Sequence, residues 1–318
     1  MATNKYPYKL PEKIVIDPAD LDEYGLPKYD KLYALITDHG TRMRRYDYLE
    51  NLYYGFHDIL HQPEKPKWKP DWRLAVNFPH YLTETFVAYG YGNPAKITHE
   101  SPEITADIKK FLDRNDFSGF LTEIITACAV YGHAWAYVYQ DENARTNITC
   151  FTPKQMFCVY DDTLKKRALF SVRYGRHTVG RYTGELYGEV VSPNGIRHFD
   201  HGSYVDDVQP NPWGRINAVE WMLNDHRIGL YEMVTALIEA YDHALSEKSN
   251  DVDSFAEAVL AVIGAEVDPD DLENARDKRI INLFGTDDAK NAVAQYLAKP
   301  VADGTQENLL DRSLDRKS

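Results

Sequence analysis

Apolar side chains at Leu32, Leu35, Ile36, Met43, Tyr46, Leu49, Tyr53 and Phe56 recur three and four residues apart, the spacing of one helix face. The pattern predicts helix over residues 33–60, broken at Gly40. HQPEKPKWKPDW, residues 61–72, then places three prolines within eight residues. Proline fixes φ and lacks a donor, so this stretch is predicted to be a loop, neither helix nor central strand. Residues 73–98 read as a helix ended by the cluster Gly90, Gly92 and Pro94, followed by a short strand from Ala95 to Thr98. Ser101, Pro102 and Glu103 have the residue types of an N-cap and first turn. They open two predicted helices that meet near Asn115.

After Gly132 the period shortens to two. AWAYVYQ, NITCFTP, MFCVYDD, ALFSVRYGR, GRYTGELYGEVVS and GIRHFD are β-branched and aromatic runs separated by turn residues, which predicts an antiparallel sheet region. NPWGRINAVEWMLN adds another strand, and a long helix is predicted from near Ile228. Over residues 229–255 that helix would be about 40 Å long. Val234, Leu237, Ile238, Tyr241 and Leu245 form its apolar stripe, while Glu232, Glu239, Asp242 and Asp253 put acids on other faces. The polar run SEKSND interrupts the stripe, and VLAVIG, bounded by Gly264, reads as a strand. Asp268 and Pro269 start a brief predicted helix, IINLFG and AVAQYLA are further strands, and VADGTQENLLDR begins another helix. The fold class is α+β.

Charge and cysteine content narrow the possible roles. Of a net charge of −13 over 318 residues, −11 lies from Glu220 onward, where ten Lys and Arg face 21 Asp and Glu. Such a surface repels phosphate and gains nothing from counterion release, which argues against conventional nucleic-acid binding. Cys128, Cys150 and Cys158 form neither an even framework nor a CxxC pair, which points to a reducing compartment. Cys128 lies in an apolar helix and is predicted to be core. No run resembles a signal peptide or a membrane span.

Motifs for chemistry are absent or have a plainer structural reading. There is no GxGxxG after a strand and no GxxxxGK[ST]; the stretch from Gly90 to Lys96 lacks the spacing of a phosphate loop. His57 and His61 are four apart, as a metal pair would be, but have no third ligand in sequence. His198 and His201 flank Asp200 in HFDHG, which a turn accounts for. The pairs Asp161–Asp162, Asp206–Asp207 and Asp270–Asp271 fall where turns and helix caps are expected. No catalytic, cofactor or metal set is assigned.

Several blocks in a single order carry a resemblance: "YYGFHDIL" with "RLAVNFPHYLTETFVAYGYGNPAKI", "AVYGHAWAYVY", "FTPKQMFCVYDD", "LIEAYDHALSEKSNDVDSFAEAVLAVIGA" and "ENLLDR". Together they resemble the portal proteins of tailed bacteriophages, in their siphophage branch. The resemblance implies a portal fold: an N-terminal extension at residues 1–30 and a mixed wing at 31–227, with helices over 31–130 and an antiparallel region over 133–224. A stem helix follows at 228–256, a small α/β clip at 257–300, and the start of a second stem helix at 301–318. Family members continue beyond that helix, so the chain is expected to be C-terminally incomplete.

The resemblance further implies a non-enzymatic head–tail connector: a homo-oligomeric ring, commonly a dodecamer, at one capsid vertex of the virion, assembled in the host cytoplasm. Double-stranded DNA passes through without sequence-specific binding, and terminase, head-completion and tail adaptor, scaffold and capsid proteins dock; no cofactor or membrane is involved. A duplex roughly 20 Å across, enclosed by helices about 10 Å wide, needs about ten to twelve of them, which agrees with such a ring. On this reading Glu232, Glu239, Asp242 and Asp253 face the channel and Val234, Leu237, Tyr241 and Leu245 pack between subunits. Val259, Ile263, Leu272, Ile281 and Leu283 belong to the clip. Two other readings stay open: a different ring-forming virion adaptor, and an unrelated α+β metal-dependent enzyme whose pocket would bring His57, His61 or His198 together with acids.

Overall fold

The computed structural model describes residues 13–66, 69–93, 95–180, 182–256, 259–263 and 293–297. The chain is a mixed α+β protein that divides into two units, Met1–Asp58 with Ala75–Glu239, and Ile59–Leu74 with Ala240–Ser318. In the first unit β1 (Ile14–Ile16) precedes α1 (Tyr29–Gly40), α2 (Met43–Tyr53), α3 (Phe78–Tyr91), α4 (Pro102–Arg114) and α5 (Phe117–Tyr131). The strands follow: β2 (His133–Gln140), β3 (Thr146–Phe151), β4 (Met156–Asp161), β5 (Ala168–Val179), β6 (Tyr182–Val191), β7 (Gly195–Asp200), β8 (Ser203–Tyr204), β9 (Gln209–Pro210) and β10 (Ala218–Met222).

Two sheets result. One runs β1-β4-β5-β6-β7-β8 with β9 paired to β7, and the other runs β10-β2-β3. Alternation sets the faces: Phe157, Val159, Phe170, Val172, Leu186, Val190 and Phe199 turn one side of the larger sheet toward Leu32 and Ile36 of α1. A second core joins Tyr46, Leu49 and Leu52 of α2 and Val87 of α3 to Phe120, Ile124, Ile125 and Cys128 of α5. Each large apolar side chain so buried contributes about 1.5–3 kcal/mol. Cys128 is 2% exposed, and burial pushes its thiol up to about 12.

Gly132 marks the predicted change of period. Its φ of 89° is left-handed, it caps α5 with a hydrogen bond to Cys128 O at 2.8 Å, and a Cβ there would collide with the carbonyl of Arg227. Only glycine meets both demands.

Within the expected N-terminal extension, residues 1–30, Ile14 and Ile16 are core, and β1 pairs in parallel with β4, Ile14 opposite Val159. Three expectations need correction. Residues 95–98 form no strand. Ser101 occupies the N-cap position of α4 but its side chain makes no capping bond; Thr105 Oγ1 instead accepts from His99 N at 2.9 Å. The long helix, α6 (Thr235–Ala256), begins seven residues later than expected, after a 3-10 turn at Glu232–Val234, so it is about 33 Å long. Its entry is delayed because Asn224 Oδ1 accepts from Ile228 N, and Asn224 Nδ2 donates to Ile228 O, holding this segment as a loop.

The division between units falls within α6, after Glu239, and residues 59–74 go with the second unit, whereas the sequence placed the boundary at residue 227. In the second unit β11 (Val259–Ile263) pairs antiparallel with β12 (Val293–Leu297), Val259 opposite Leu297 and Ile263 opposite Val293. VLAVIG and AVAQYLA therefore do supply strands. The expected helix at Asp268, the IINLFG strand, the second helix at 301–318, and Leu272, Ile281 and Leu283 lie outside the described residues.

Candidate functional site

The first unit seats the start of the long helix on a buried ion pair. Arg45, on α2, donates from Nε to Glu232 Oε1 at 2.7 Å and from Nη2 to Oε2 at 2.6 Å. Glu232 is only 3% exposed. Glu232 Oε2 also accepts from Gly229 N at 2.8 Å, and Arg45 Nη2 reaches Arg227 O at 2.8 Å. The pair therefore satisfies backbone groups of the loop that precedes the helix as well as its own charge. Tyr231 Oη donates to Leu49 O at 2.7 Å, and Tyr48 Oη to Glu239 Oε1 at 2.7 Å.

A second polar cluster lies beside the first. Glu220 on β10 accepts from His133 Nδ1 at 2.8 Å and from Arg227 Nε at 2.5 Å and Nη2 at 2.8 Å. Burial opposes the carboxylate charge, but the Arg227 and His133 bonds outweigh it and hold Glu220 at about 2. Burial lowers His133, whose Nε2 lies 3.0 Å from Tyr46 Oη. A small cleft here is lined by Lys13, Arg42, His133, Tyr160, Glu220 and Arg227 among others; His57, His61 and His198 are not in it. His57 is 1% exposed in the first unit, and His61 is exposed in the second. His198 does meet acids, Asp206 at 2.6 Å and Glu189 at 3.6 Å, and its hydrogen bond to Glu189, helped by Asp206, raises it to about 9. It does so on an open strand face, 43% exposed.

The second unit answers why SEKSND interrupts the apolar stripe of the helix. Residues 59–66 and 69–74 pass along α6 as a strap, and helix side chains take hydrogen bonds of its backbone. Trp72 N donates to Asn250 Oδ1 at 2.7 Å and Leu74 N to Ser246 Oγ at 2.9 Å. Lys65 Nζ pairs with Glu247 Oε1 at 2.9 Å, and Trp72 Nε1 donates to Asp253 Oδ2. The strap is also tied to itself, with Asp71 accepting from Arg73 Nη2 at 2.6 Å and Lys65 N at 3.1 Å. A chain this rich in proline cannot satisfy its polar groups in a ladder, so the helix supplies them. Asp242, Ser246 and Asn250, spaced by four, are 1%, 1% and 5% exposed.

The helix is thus inverted. Its buried side past Ile238 is polar, and its apolar residues lie outside: Leu237 is 70% exposed, Tyr241 48%, Val252 60% and Val234 39%. Leu245 is half-buried. Of the acids expected to face a channel, Glu232 and Asp242 are buried and cannot do so: Glu232 is locked to Arg45, and Asp242 lies on the buried stripe. Glu239 and Asp253 are half-buried and bonded within the chain. Arg45, Tyr48, Trp72, Lys65, Ser246 and Asn250 escaped the sequence reading. Only the four-residue spacing of Ser246 and Asn250 offered a signal.

Known proteins resemble this chain at three levels. The family described as phage portal protein, SPP1 Gp6-like, matches residues 33–316. The portal protein of Bacillus phage SPP1 is 23% identical over 186 residues, 53% of this chain and 36% of that protein, so the chain matches little more than a third of that relative's length. A chain from a structure titled neck of empty GTA particle computed with C6 symmetry aligns with a TM-score of 0.40 at 12% identity, over 71% of this chain and 60% of that one. With the family match running through nearly all the elements described above, the chain belongs to the SPP1 Gp6-like family of phage portal proteins.

Proposed function

We propose that this chain is one subunit of a portal ring, a structural rather than enzymatic part at one capsid vertex, through which double-stranded DNA enters and leaves. Terminase and the head-completion and tail proteins dock on that ring. The observation that carries the reading is the outward apolar stripe of α6. Val234, Leu237, Tyr241 and Val252 are exposed, while Asp242, Ser246 and Asn250 are buried within the chain. An exposed stripe of this kind on a helix anchored along its opposite side is the half-interface that a second copy completes. In the proposed ring the stripe meets a different surface of the neighbour, a heterologous contact that forms a ring where the rotation between copies closes, with about ten to twelve copies around a duplex.

Glu239 and Asp253 are the acids of α6 proposed to lie along the lumen edge; with the acidity carried from Glu220 onward, they would weaken phosphate contacts and let DNA slide. The β11–β12 pair, with Val259 and Ile263, is assigned to the clip at the narrow end. Negative-stain microscopy of the purified chain tests the assignment. Rings with a central hole are expected, and uniform particles of monomer size would overturn it.

A further inference from the structure

Away from α6, the open face of the larger sheet gathers His177 of β5, Glu185 of β6, Asp200 of β7 and His201 of the following turn. His177 Nε2 lies 2.8 Å from Asp200 Oδ1, and His201 Nε2 lies 3.7 Å from Asp200 Oδ2. One ligand atom from each of these three residues falls within 4.8 Å of the other two. The two imidazoles are stacked, with centroids 5.5 Å apart and planes 15° from parallel. His201 Nδ1 is held by Glu185 Oε2 at 2.6 Å.

We propose that His177, Asp200 and His201 form a binding site for a divalent transition-metal ion, with zinc as the fitting chemistry. Two imidazoles and a carboxylate are a borderline-soft donor set that suits zinc and disfavours magnesium or calcium, which take oxygen ligands. Tetrahedral zinc places ligand atoms about 3.3 Å apart, so no separation need close by more than about 1.5 Å, a side-chain rotation. His177 and His201 are 45% and 72% exposed and free to make it. The Glu185 contact has the form found behind metal-bound histidines, in which the second ring nitrogen donates to a carboxylate and turns the first toward the ion.

The backbone also fits. His201 has φ of 47° and Gly202 of 81°, a tight turn between Asp200 and Ser203, which are paired opposite each other. Glycine takes that conformation at little cost, whereas histidine does so less readily; a ligand role gives the residue a reason to be there. Coordination would release to solvent any proton now between His177 and Asp200, and water would complete the shell. The ion would tie the outer end of the β5–β6 hairpin to the β7–β8 turn.

Calorimetric titration of the full chain, stripped with chelator, with zinc alone tests the site. One ion per chain is expected, accompanied by a rise in melting temperature that chelator reverses. H177A and H201A should each abolish or greatly weaken binding, E185Q should weaken it about tenfold or more, and H198A should leave it unchanged. Cobalt substituted for zinc should show the absorption of a tetrahedral nitrogen and oxygen site. No binding by the unaltered chain, or binding that survives H177A and H201A, would overturn the proposal. Circular dichroism of each variant separates loss of the site from loss of the fold.

Discussion

Arg45 and Glu232 show how much a single buried pair can control. Charges withdrawn from water contribute little as a pair but cost several kcal/mol when one is left alone. Glu232→Ala strands the Arg45 guanidinium and the Gly229 backbone N–H, so unfolding free energy is expected to fall by about 3–5 kcal/mol, measured by urea denaturation. Replacing both residues together, with Met at Arg45 and Leu at Glu232, should recover most of that loss. A single variant as stable as the unaltered chain would show that the pair does not seat the helix.

His39 adds a pH dependence of defined sign. It is 2% exposed, stacked 4.4 Å from Phe157, and bonded through Nδ1 to Tyr174 Oη. Burial, with Arg42 adding to it, lowers it from 6.5 to about 3. The unfolded chain therefore takes up this proton first. Stability is full above pH 6.5, falls as pH drops from 6.5 toward 3, and the loss is complete below that. The slope from one such proton is at most about 1.4 kcal/mol per pH unit. In His39→Gln the decline in melting temperature between pH 6.5 and 4.5 should be shallower than in the unaltered chain; identical slopes would refute the assignment.

Among the elements, the strap and α6 explain each other. A segment with three prolines in eight residues has few ladder options, and a helix with Ser246 and Asn250 on its buried side offers side-chain oxygens in their place. Asn250→Ala leaves the Trp72 peptide unsatisfied, a loss of about 1–3 kcal/mol. Because the loss is local, limited proteolysis is the better readout, and faster cleavage within residues 59–74 is expected. Unchanged cleavage would mean that Asn250 does not hold the strap. Gly132→Ala should be more damaging, since it combines left-handed strain of about 1–2 kcal/mol with a collision at Arg227.

The strands from β2 to β7 were legible in the sequence because each is a β-branched and aromatic run closed by turn residues. The α1–α2 break at Gly40 and the junction near Asn115 were legible for similar reasons. What escaped was long-range. The three residues of β1 have no period to read, and their pairing with β4 spans more than 140 positions. The inverted face of α6 escaped because a hydrophobic stripe is assumed to point inward. Here the inner partner is polar backbone, so the signal reverses. At the proposed metal site, His201 and Asp200 stood out as a turn, whereas His177 lies 23 residues from Asp200 and has no spacing that would announce it.

At the scale of the whole molecule, the outward stripe is the surface on which the proposed neighbour packs. Leu237 and Tyr241 are a turn apart on α6 and both exposed, and neither contributes to the buried cores. Charging them makes the proposed neighbour contact unfavourable, and circular dichroism reports whether the fold is kept. The most direct measurement is the mass distribution of the purified full chain beside that of the Leu237→Asp, Tyr241→Asp double variant. The unaltered chain is expected to form closed assemblies of about ten to twelve copies, and the double variant to remain monomeric with an unchanged circular dichroism spectrum. An unaltered chain that stays monomeric at every concentration, or a double variant that assembles as well as it does, would contradict the role given to this helix.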